Sequence, residues 1–200
     1  MSDRNAIVVI ASLLYEVLKI TCIMQKRFPK KQTVAIQVSL TAVMTALVAA
    51  ATFIVRIPNP MGGYFNFGDV MIFAVALTFN PAIGGFAGGV GSAISDAIGY
   101  PVFVIPTLII KGLEGLLAGL ISNRLSVSRD VLAVCVGGAE MVGGYFLAEW
   151  LLLPVWGVSS YGWVGALGEF PGNVVQVVVG AAIGLPIAYF VRMRLPEILK

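Results

Sequence analysis

Residues 59–120 read NPMGGYFNFGDVMIFAVALTFNPAIGGFAGGVGSAISDAIGYPVFVIPTLIIKGLEGLLAGL. A loop rich in proline and glycine opens this stretch, and three apolar segments follow it. Lys111 and Glu114 lie in the middle of the third apolar segment, where the hydrocarbon of a membrane disfavours charge. A charged pair at this position predicts a polar site inside a membrane protein, with the remaining segments as its scaffold.

The composition is typical of a membrane protein. Hydrophobic residues make up 58% of the chain, charged residues make up 12%, and the mean hydropathy is +0.95. Soluble domains carry about 25% charged residues. Each membrane-spanning helix needs about 20 residues, so a chain of 200 residues has room for a core of about six helices. We therefore predict an all-α, polytopic membrane protein with six transmembrane helices.

Several classes of chemistry are excluded by missing residues and motifs. The chain has no histidine, which excludes histidine-based metal sites and catalytic triads, and it has no GxxxxGK[ST] loop for ATP hydrolysis. Cys22 and Cys135 lie far apart in apolar segments and form no C-x-x-C pair. We expect no catalytic residue, metal or cofactor. The remaining catalytic alternative is a dyad of Ser92 or Ser95 with Lys111, which no motif supports.

Proline and glycine clusters divide the chain into segments. Residues 1–32 are predicted to form an N-terminal helix and a basic loop, and the helix is either interfacial or an additional, imperfect span. Residues 33–192 are predicted to form a six-helix membrane domain, and residues 193–200 a cytoplasmic tail. Glycine and proline inside the apolar segments do not argue against helices, because membrane helices tolerate both. The predicted spans are 34–57, 69–79, 82–98, 102–121, 131–153 and 171–191.

Basic residues are concentrated on one side of these spans. Lysine and arginine cluster in residues 26–31, recur in the loop at 124–129, and return in the segment 192–200. Because basic loops stay in the cytoplasm, the loops at 58–68 and 154–169 are predicted to face outward. The sequence therefore predicts a plasma-membrane protein whose core has both ends in the cytoplasm.

Polar residues within or beside the spans form the candidate ligand site. Lys111 and Glu114 are three residues apart and can neutralise each other, and Glu140 is the alternative partner of Lys111. Asp69 could instead cap a helix N-terminus, whereas Asp96 lies near a helix C-terminus that disfavours an anion. The candidate ligand-binding residues are Tyr64, Asn66, Asp69, Asp96, Tyr100, Lys111, Glu114, Glu149, Trp150, Asn173 and Gln176. Trp150 could alternatively anchor the protein at the membrane interface, where tryptophan is common.

A stripe of small residues marks the first span. Ala42, Ala46 and Ala50 follow one another at intervals of four and share one helix face. Small residues at this spacing let two helices approach closely in lipid. The stripe therefore serves either internal packing or docking of a separate protein.

Three segments are distinctive as motifs: they read GYFNFGD (63–69), NPAIGGFAGGVGSAISD (80–96) and KGLEGLLAG (111–119). Together with the alanine-rich first span, they resemble the substrate-binding S component of energy-coupling factor (ECF) transporters. The resemblance extends over about residues 34–192 and is strongest to the riboflavin and hydroxymethylpyrimidine branch.

This resemblance implies a membrane subunit of an ABC-type importer that captures a vitamin or vitamin precursor from outside, either riboflavin or a thiamine/pyrimidine precursor. It implies three partners, a transmembrane coupling subunit and two cytoplasmic ATPases, and it assigns contact with the coupling subunit to Ala42, Ala46 and Ala50. The residues alone leave two other classes open. One is a structural or assembly membrane protein without a ligand, and the other is a small intramembrane enzyme.

Overall fold

The computed structural model describes residues 33–58, 63–123 and 126–194. The predictions for the N-terminal segment 1–32, for the glycine-containing loop at 59–62 and for residues 195–200 lie outside these residues. Within them, six helices of eleven residues or more and one small hairpin form the fold. The elements are α1 (Thr33–Ile54), β1 (Arg56–Pro58), β2 (Tyr64–Asn66), α2 (Gly68–Thr78), α3 (Pro81–Gly99), α4 (Val104–Ile121), α5 (Val127–Leu147) and α6 (Trp163–Arg194).

In the part of the chain that the structure describes, four segments are long and apolar enough to cross a membrane: Val34–Ile54, Pro101–Ile121, Val127–Val155 and Trp163–Arg194. Helix α2 has only 11 residues. At about 1.5 Å per residue it is about 16 Å long, roughly half the thickness of the hydrocarbon core. The all-α membrane fold is therefore confirmed, while membrane crossing by all six helices stays a prediction.

The short helix α2 lies at the centre of the bundle. All of its residues are buried, and it packs against α1, α3, α4 and α6. Glycines of α6 permit this close packing: a β-carbon at Gly180 would lie 2.6 Å from Asp69 Cβ, and one at Gly184 would lie 2.8 Å from the Val70 carbonyl oxygen. Asp69, in the first turn of α2, is consequently held inside the protein.

Helices α3 and α4 pack backbone against backbone. A β-carbon at Gly84 would lie 2.9 Å from the carbonyl oxygen of Gly115, and one at Gly89 would lie 2.6 Å from that of Leu108. Gly84 and Gly88, like Gly85 and Gly89, are four residues apart, which is the spacing expected for close helix contacts in lipid. The contact fixes the position of α4 and therefore of Lys111, which α4 carries.

Helix α1 has two different faces. Met44 and Val48 are fully buried in the core, whereas Ala42, Ala46 and Ala50 are exposed. The alanine stripe therefore does not serve internal packing in the described part of the chain. It remains available as a smooth surface for another helix.

Three predicted segment boundaries were wrong, and the first is the start of α5, which lies at Val127 rather than at residue 131. Helix α1 ends at Ile54 rather than at residue 57, because Arg56–Pro58 pairs in antiparallel register with Tyr64–Asn66. Helix α6 begins at Trp163 rather than at residue 171, and Pro171 lies inside it. The sequence interpretation took this proline as a helix start, a position that proline often occupies. As a consequence, Glu169 lies on a helix and not in a loop.

The end of α5 is irregular. The helix continues through a π-helical turn, Ala148–Leu152, and a last helical turn, Leu153–Val155. The backbone N–H of Leu153 donates to the carbonyl of Ala148, five residues earlier. This turn carries Glu149 and Trp150 and sets which of the two side chains faces inward.

Candidate functional site

A cavity of about 430 Å³, counted with its open mouth, lies between the helices and the hairpin. Seven of the predicted site residues line it: Tyr64, Asn66, Asp96, Lys111, Glu149, Asn173 and Gln176. The structure therefore brings together residues from the hairpin and from helices α3 to α6.

Lys111 is held by two acidic residues below the cavity. Its Nζ contacts the carboxylate of Asp69 and lies 3.2 Å from Glu114 Oε2. The exposed fraction is 2% for Lys111 and 0% for both acids. Gln176 Nε2 lies 3.3 Å from the Asp69 carboxylate and donates to it. Lys111 thus neutralises charges of its own protein, and this charge is only partly available to a ligand.

The predicted capping role of Asp69 was wrong, whereas the pairing of Lys111 with Glu114 is confirmed; Asp69 is a second partner of Lys111 that the sequence did not predict. The α2 N-cap residue is Phe67, which makes no side-chain capping bond, and the first backbone N–H of the helix, at Gly68, donates to Asn66 Oδ1 at 2.8 Å. The Asp69 carboxylate instead forms a charge-assisted bond with the ammonium group of Lys111. Asp69, and not the predicted alternative Glu140, contacts Lys111. Glu140 is half-buried on α5.

Asp96 is the centre of a second polar network. The Tyr64 hydroxyl donates to Asp96 Oδ1, and the Thr107 hydroxyl donates to Oδ2 at 2.6 Å. Tyr145 Oη lies 2.8 Å from the Thr107 hydroxyl. Burial, with the charge of Asp96 as the next contribution, raises the pKa of Tyr64, so this phenol stays protonated and remains a donor. These donors compensate for the unfavourable position of Asp96 near the C-terminus of α3.

The hairpin is fastened to α3 through Arg56. Its Nη2 donates to the Ser95 carbonyl and lies 2.6 Å from the Ser95 hydroxyl. The guanidinium also lies over the rings of Phe53, Tyr64 and Tyr100, at 4.6, 5.1 and 5.6 Å from their centroids. Tyr64 stacks on Tyr100 with 4.4 Å between centroids. Tyr100 therefore supports a cavity wall without being part of the lining.

Helix α6 holds the other side of the hairpin. Gln176 Oε1 accepts from the backbone N–H of Asn66 at 2.9 Å and from Asn66 Nδ2 at 3.2 Å. Glu169 Oε1 accepts from the backbone N–H of Gly63 at 3.0 Å. A β-carbon at Gly63 would lie 2.7 Å from the Glu169 carboxylate, so only glycine fits without a shift. The hairpin closes over the cavity through bonds to both α3 and α6.

The outer end of the cavity contains buried polar atoms without partners. Glu149 and Glu169 both line it, and each is 3% exposed. Three side-chain atoms of the lining have no hydrogen-bond partner among the described residues: Glu149 Oε2, Asn173 Nδ2 and Ser92 Oγ. A buried polar atom without a partner is unfavourable by about 1–3 kcal/mol. These three lining atoms are therefore the positions where a bound molecule gains most by hydrogen bonding.

Trp150 points away from the cavity. It is 38% exposed, and its ring lies 5.0 Å from that of Trp163 in an aromatic cluster with Phe146. This position fits the alternative of an interface anchor. The nearby Tyr161, in the loop between α5 and α6, has a pKa raised by burial and by the charges of Glu169 and Glu149, so it also stays protonated.

Several lining residues were not predicted. Ser92, Thr107 and Tyr145 each lie four residues before a predicted site residue, and therefore on the same helix face; this spacing could have identified them. Glu169 was assigned to a loop, which hid its inward position. The lining residues missed by sequence reasoning are Thr52, Gly63, Ser92, Phe103, Thr107, Met141, Tyr145 and Glu169. Within the described residues, no group of three or more histidine, cysteine, aspartate or glutamate side chains could hold a metal ion.

Comparison with known proteins identifies relatives of the whole membrane core. Residues 32–193 match the family model of the ECF-type riboflavin transporter, S component. An uncharacterised protein from Pyrococcus woesei is 44% identical over 155 residues, which cover 76% of this chain and 99% of that protein. The thiamine precursor transporter HmpT of Lactococcus lactis subsp. cremoris is 32% identical over 147 residues, which cover 72% of this chain and 80% of HmpT.

A solved structure of the S component of a bacterial ECF transporter has the same fold. The TM-score is 0.60 at 19% sequence identity, and the match covers 82% of this chain and 96% of that one. The resemblance found in the sequence motifs is thus confirmed, and the alternatives of an intramembrane enzyme and of a structural protein without ligand are removed. This chain belongs to the family of ECF-type riboflavin transporter S components and is a multi-pass, substrate-binding membrane subunit.

Proposed function

We propose that this protein captures a vitamin or vitamin precursor from outside the cell and presents it to an ECF transport complex. The observation that carries the proposal is the polar cavity under the hairpin, which Asp96, Lys111 and Glu149 line from three different helices. The hydrogen-bonded hairpin acts as a cover that separates a bound molecule from water. Exclusion of water strengthens the few polar contacts inside such a site.

The proposed ligand is riboflavin or a pyrimidine precursor of thiamine. The family match supports riboflavin, and the relative HmpT, which is described as a thiamine precursor transporter, supports the pyrimidine. Both contain a planar heterocycle with hydrogen-bonding groups at its edge. The cavity offers carboxylate, amide and hydroxyl groups for such an edge.

The proposed partners are a transmembrane coupling subunit and two cytoplasmic ATPases. This chain has no phosphate-binding loop for ATP hydrolysis, so transport energy has to come from another protein. The exposed face of Ala42, Ala46 and Ala50 supports docking of the coupling subunit on α1. Three small side chains in a row let a partner helix approach to backbone distance.

We propose that the end of the bundle opposite the cavity faces the cytoplasm. There, Arg192 contacts the Asp130 carboxylate, donates to the Leu77 carbonyl at 2.9 Å, and lies 2.8 Å from the Ser122 hydroxyl. One arginine thus joins the ends of α2, α4, α5 and α6. Its position among the basic loops supports the predicted topology, with the cavity opening outward.

The test is ligand identification followed by titration. The full chain is purified in detergent, and co-purified small molecules are identified by mass spectrometry. Riboflavin and 4-amino-5-hydroxymethyl-2-methylpyrimidine are then titrated by calorimetry. We expect saturable binding of one of them. The Tyr64→Ala variant should weaken it, and the Tyr189→Ala variant, which changes an exposed tyrosine outside the cavity, should not. Absence of saturable binding to either compound contradicts the proposed function.

A further inference from the structure

Ser92 contributes a hydroxyl to the cavity that the protein itself does not use. It lies one helical turn before Asp96 on the same face of α3, and therefore farther from the hairpin. Its side chain is 1% exposed, and its Oγ has no hydrogen-bond partner among the described residues. Thr52, the lining hydroxyl of α1, instead donates to the Val48 carbonyl at 2.9 Å. Because a buried hydroxyl without a partner is unfavourable, the fold alone does not account for Ser92.

Helix packing brings the ammonium group of Lys111 toward this hydroxyl. A β-carbon at Gly88 would lie 2.5 Å from the Lys111 carbonyl oxygen, so one turn farther along the two antiparallel helices Ser92 lies at the level of Thr107. The Lys111 side chain leans the same way, because long helical side chains point toward the start of their helix. Its Nζ lies 5.6 Å from the centre of the Tyr145 ring, whose hydroxyl is 2.8 Å from that of Thr107. Ser92 and Lys111 therefore present their polar atoms to the same part of the cavity.

Lys111 retains a donor for a molecule in the cavity. An ammonium group has three N–H donors, and the contacts with Asp69 and Glu114 take two of them. The side chain lines the cavity, so the third N–H is left for a ligand. Two acids share this one ammonium group, so the site as a whole has no excess of positive charge.

These atoms select the chemical group that a ligand can place between them. The Lys111 N–H needs an acceptor, whereas the Ser92 hydroxyl can donate or accept. An alcohol meets both needs, because its lone pair accepts from Lys111 while its proton goes to Ser92 Oγ. A carboxylate or phosphate would be repelled by Asp69 and Glu114, and an ammonium group by Lys111 itself. A carbonyl oxygen accepts but cannot donate, which the surrounding acids disfavour.

We propose that Ser92 and Lys111 form a subsite for an alcohol group of the ligand and thereby fix its orientation in the cavity. The alcohol-bearing arm lies deep in the cavity, and the ring lies nearer the hairpin, beside Tyr64 and Tyr145. Riboflavin carries alcohols on its ribityl chain, and the pyrimidine precursor carries one on its hydroxymethyl group. The assignment rests on the proposed function, but it does not depend on which of the two rings is bound.

The test compares ligands with and without the alcohol on three proteins. One pair is riboflavin and lumiflavin, which has a methyl group in place of the ribityl chain. The other is 4-amino-5-hydroxymethyl-2-methylpyrimidine and 4-amino-2,5-dimethylpyrimidine. The proteins are the natural chain, Ser92→Ala and the matched control Thr45→Val, which removes a buried hydroxyl of α1 outside the cavity lining. Calorimetry gives each dissociation constant, and thermal unfolding gives the melting temperature of each ligand-free protein.

We expect the natural chain to bind the alcohol about tenfold to a hundredfold more tightly than its analogue. Ser92→Ala should weaken binding of the alcohol by about threefold to tenfold and alter binding of the analogue by no more than about twofold. Thr45→Val should alter both by no more than about twofold. The melting temperature of ligand-free Ser92→Ala should not fall, because the lost hydroxyl has no partner among the described residues.

An equal loss for both members of a pair would show that Ser92 only shapes the cavity, and unchanged binding of the alcohol would show that Ser92 does not contact it. Either result overturns the subsite. It is also overturned if the natural chain binds the analogue as tightly as the alcohol, or if ligand-free Ser92→Ala melts at a clearly lower temperature than the natural chain. If none of the four compounds binds, the proposed function itself fails.

Discussion

Replacement of Lys111 by methionine should strongly destabilise the protein. Lys111 contacts Asp69 and Glu114, and both acids have 0% exposed surface. Without the ammonium group, two negative charges remain close together in a region of low dielectric. Removal of one member of a buried ion pair lowers the free energy of unfolding by about 3–5 kcal/mol. For a domain of this size, that loss corresponds to a fall of about 6–20 °C in the melting temperature.

The matched control removes all three charges. In the triple variant Asp69→Asn, Lys111→Met, Glu114→Gln, no buried charge remains without a partner, and replacement of a complete buried ion group is often neutral in stability. We expect most of the lost melting temperature to return. Thermal unfolding of the detergent-purified protein, followed by tryptophan fluorescence, measures both variants. A Lys111→Met variant as stable as the natural chain, or a triple variant no more stable than the single one, would refute the ion-network interpretation.

Three further predictions concern docking, closure and topology. Ala46→Leu should abolish vitamin uptake by cells, while the purified variant binds ligand normally. The control Ala139→Leu, at an exposed alanine outside the stripe, should change neither uptake nor binding. Loss of ligand binding in Ala46→Leu would contradict a docking role. Arg56→Gln should speed ligand release about tenfold or more in stopped-flow fluorescence, because a charge-assisted bond contributes about 1.5–3 kcal/mol; an unchanged release rate would exclude Arg56 as the fastening of the hairpin. In a cysteine-free background, Ser159→Cys should react with an impermeant maleimide on intact cells and Ser126→Cys should not, and the reverse result would invert the topology.

The helices could be predicted from the sequence because their signals are local. Apolar segments separated by proline and glycine are visible without any structure, and so is the short length of the segment that became α2. The predicted start of α6 at Pro171 was wrong because the position of a proline in a helix is not a purely local signal. A proline marks a helix start or an interior kink depending on neighbouring helices, and the local sequence does not contain that information.

The site was only partly predictable because its contacts join distant residues. Lys111 and Glu114 are neighbours on one helix, so this pairing was visible. The bond from Lys111 to Asp69 joins residues 42 positions apart, and it depends on the burial of α2 between other helices. The orientation of Glu149 depends on a π-helical turn, which no residue pattern in the sequence predicted. Long-range packing and backbone irregularity thus determined the parts that sequence reasoning missed.

The π-helical turn at Ala148–Leu152 offers a route by which such a transporter could change its cargo during evolution. A π-helical turn holds one residue more than the same length of α-helix. Deletion of Ala148 would let the turn relax to α-helix, and the segment from Leu153 onward would keep its place. Each later residue of the turn would move back by one position, so the indole of Trp150 would take the place of the Glu149 carboxylate. A single lost codon would thereby exchange an acceptor of hydrogen bonds for a flat apolar surface, with the hairpin, the ion network and the docking face left as they are.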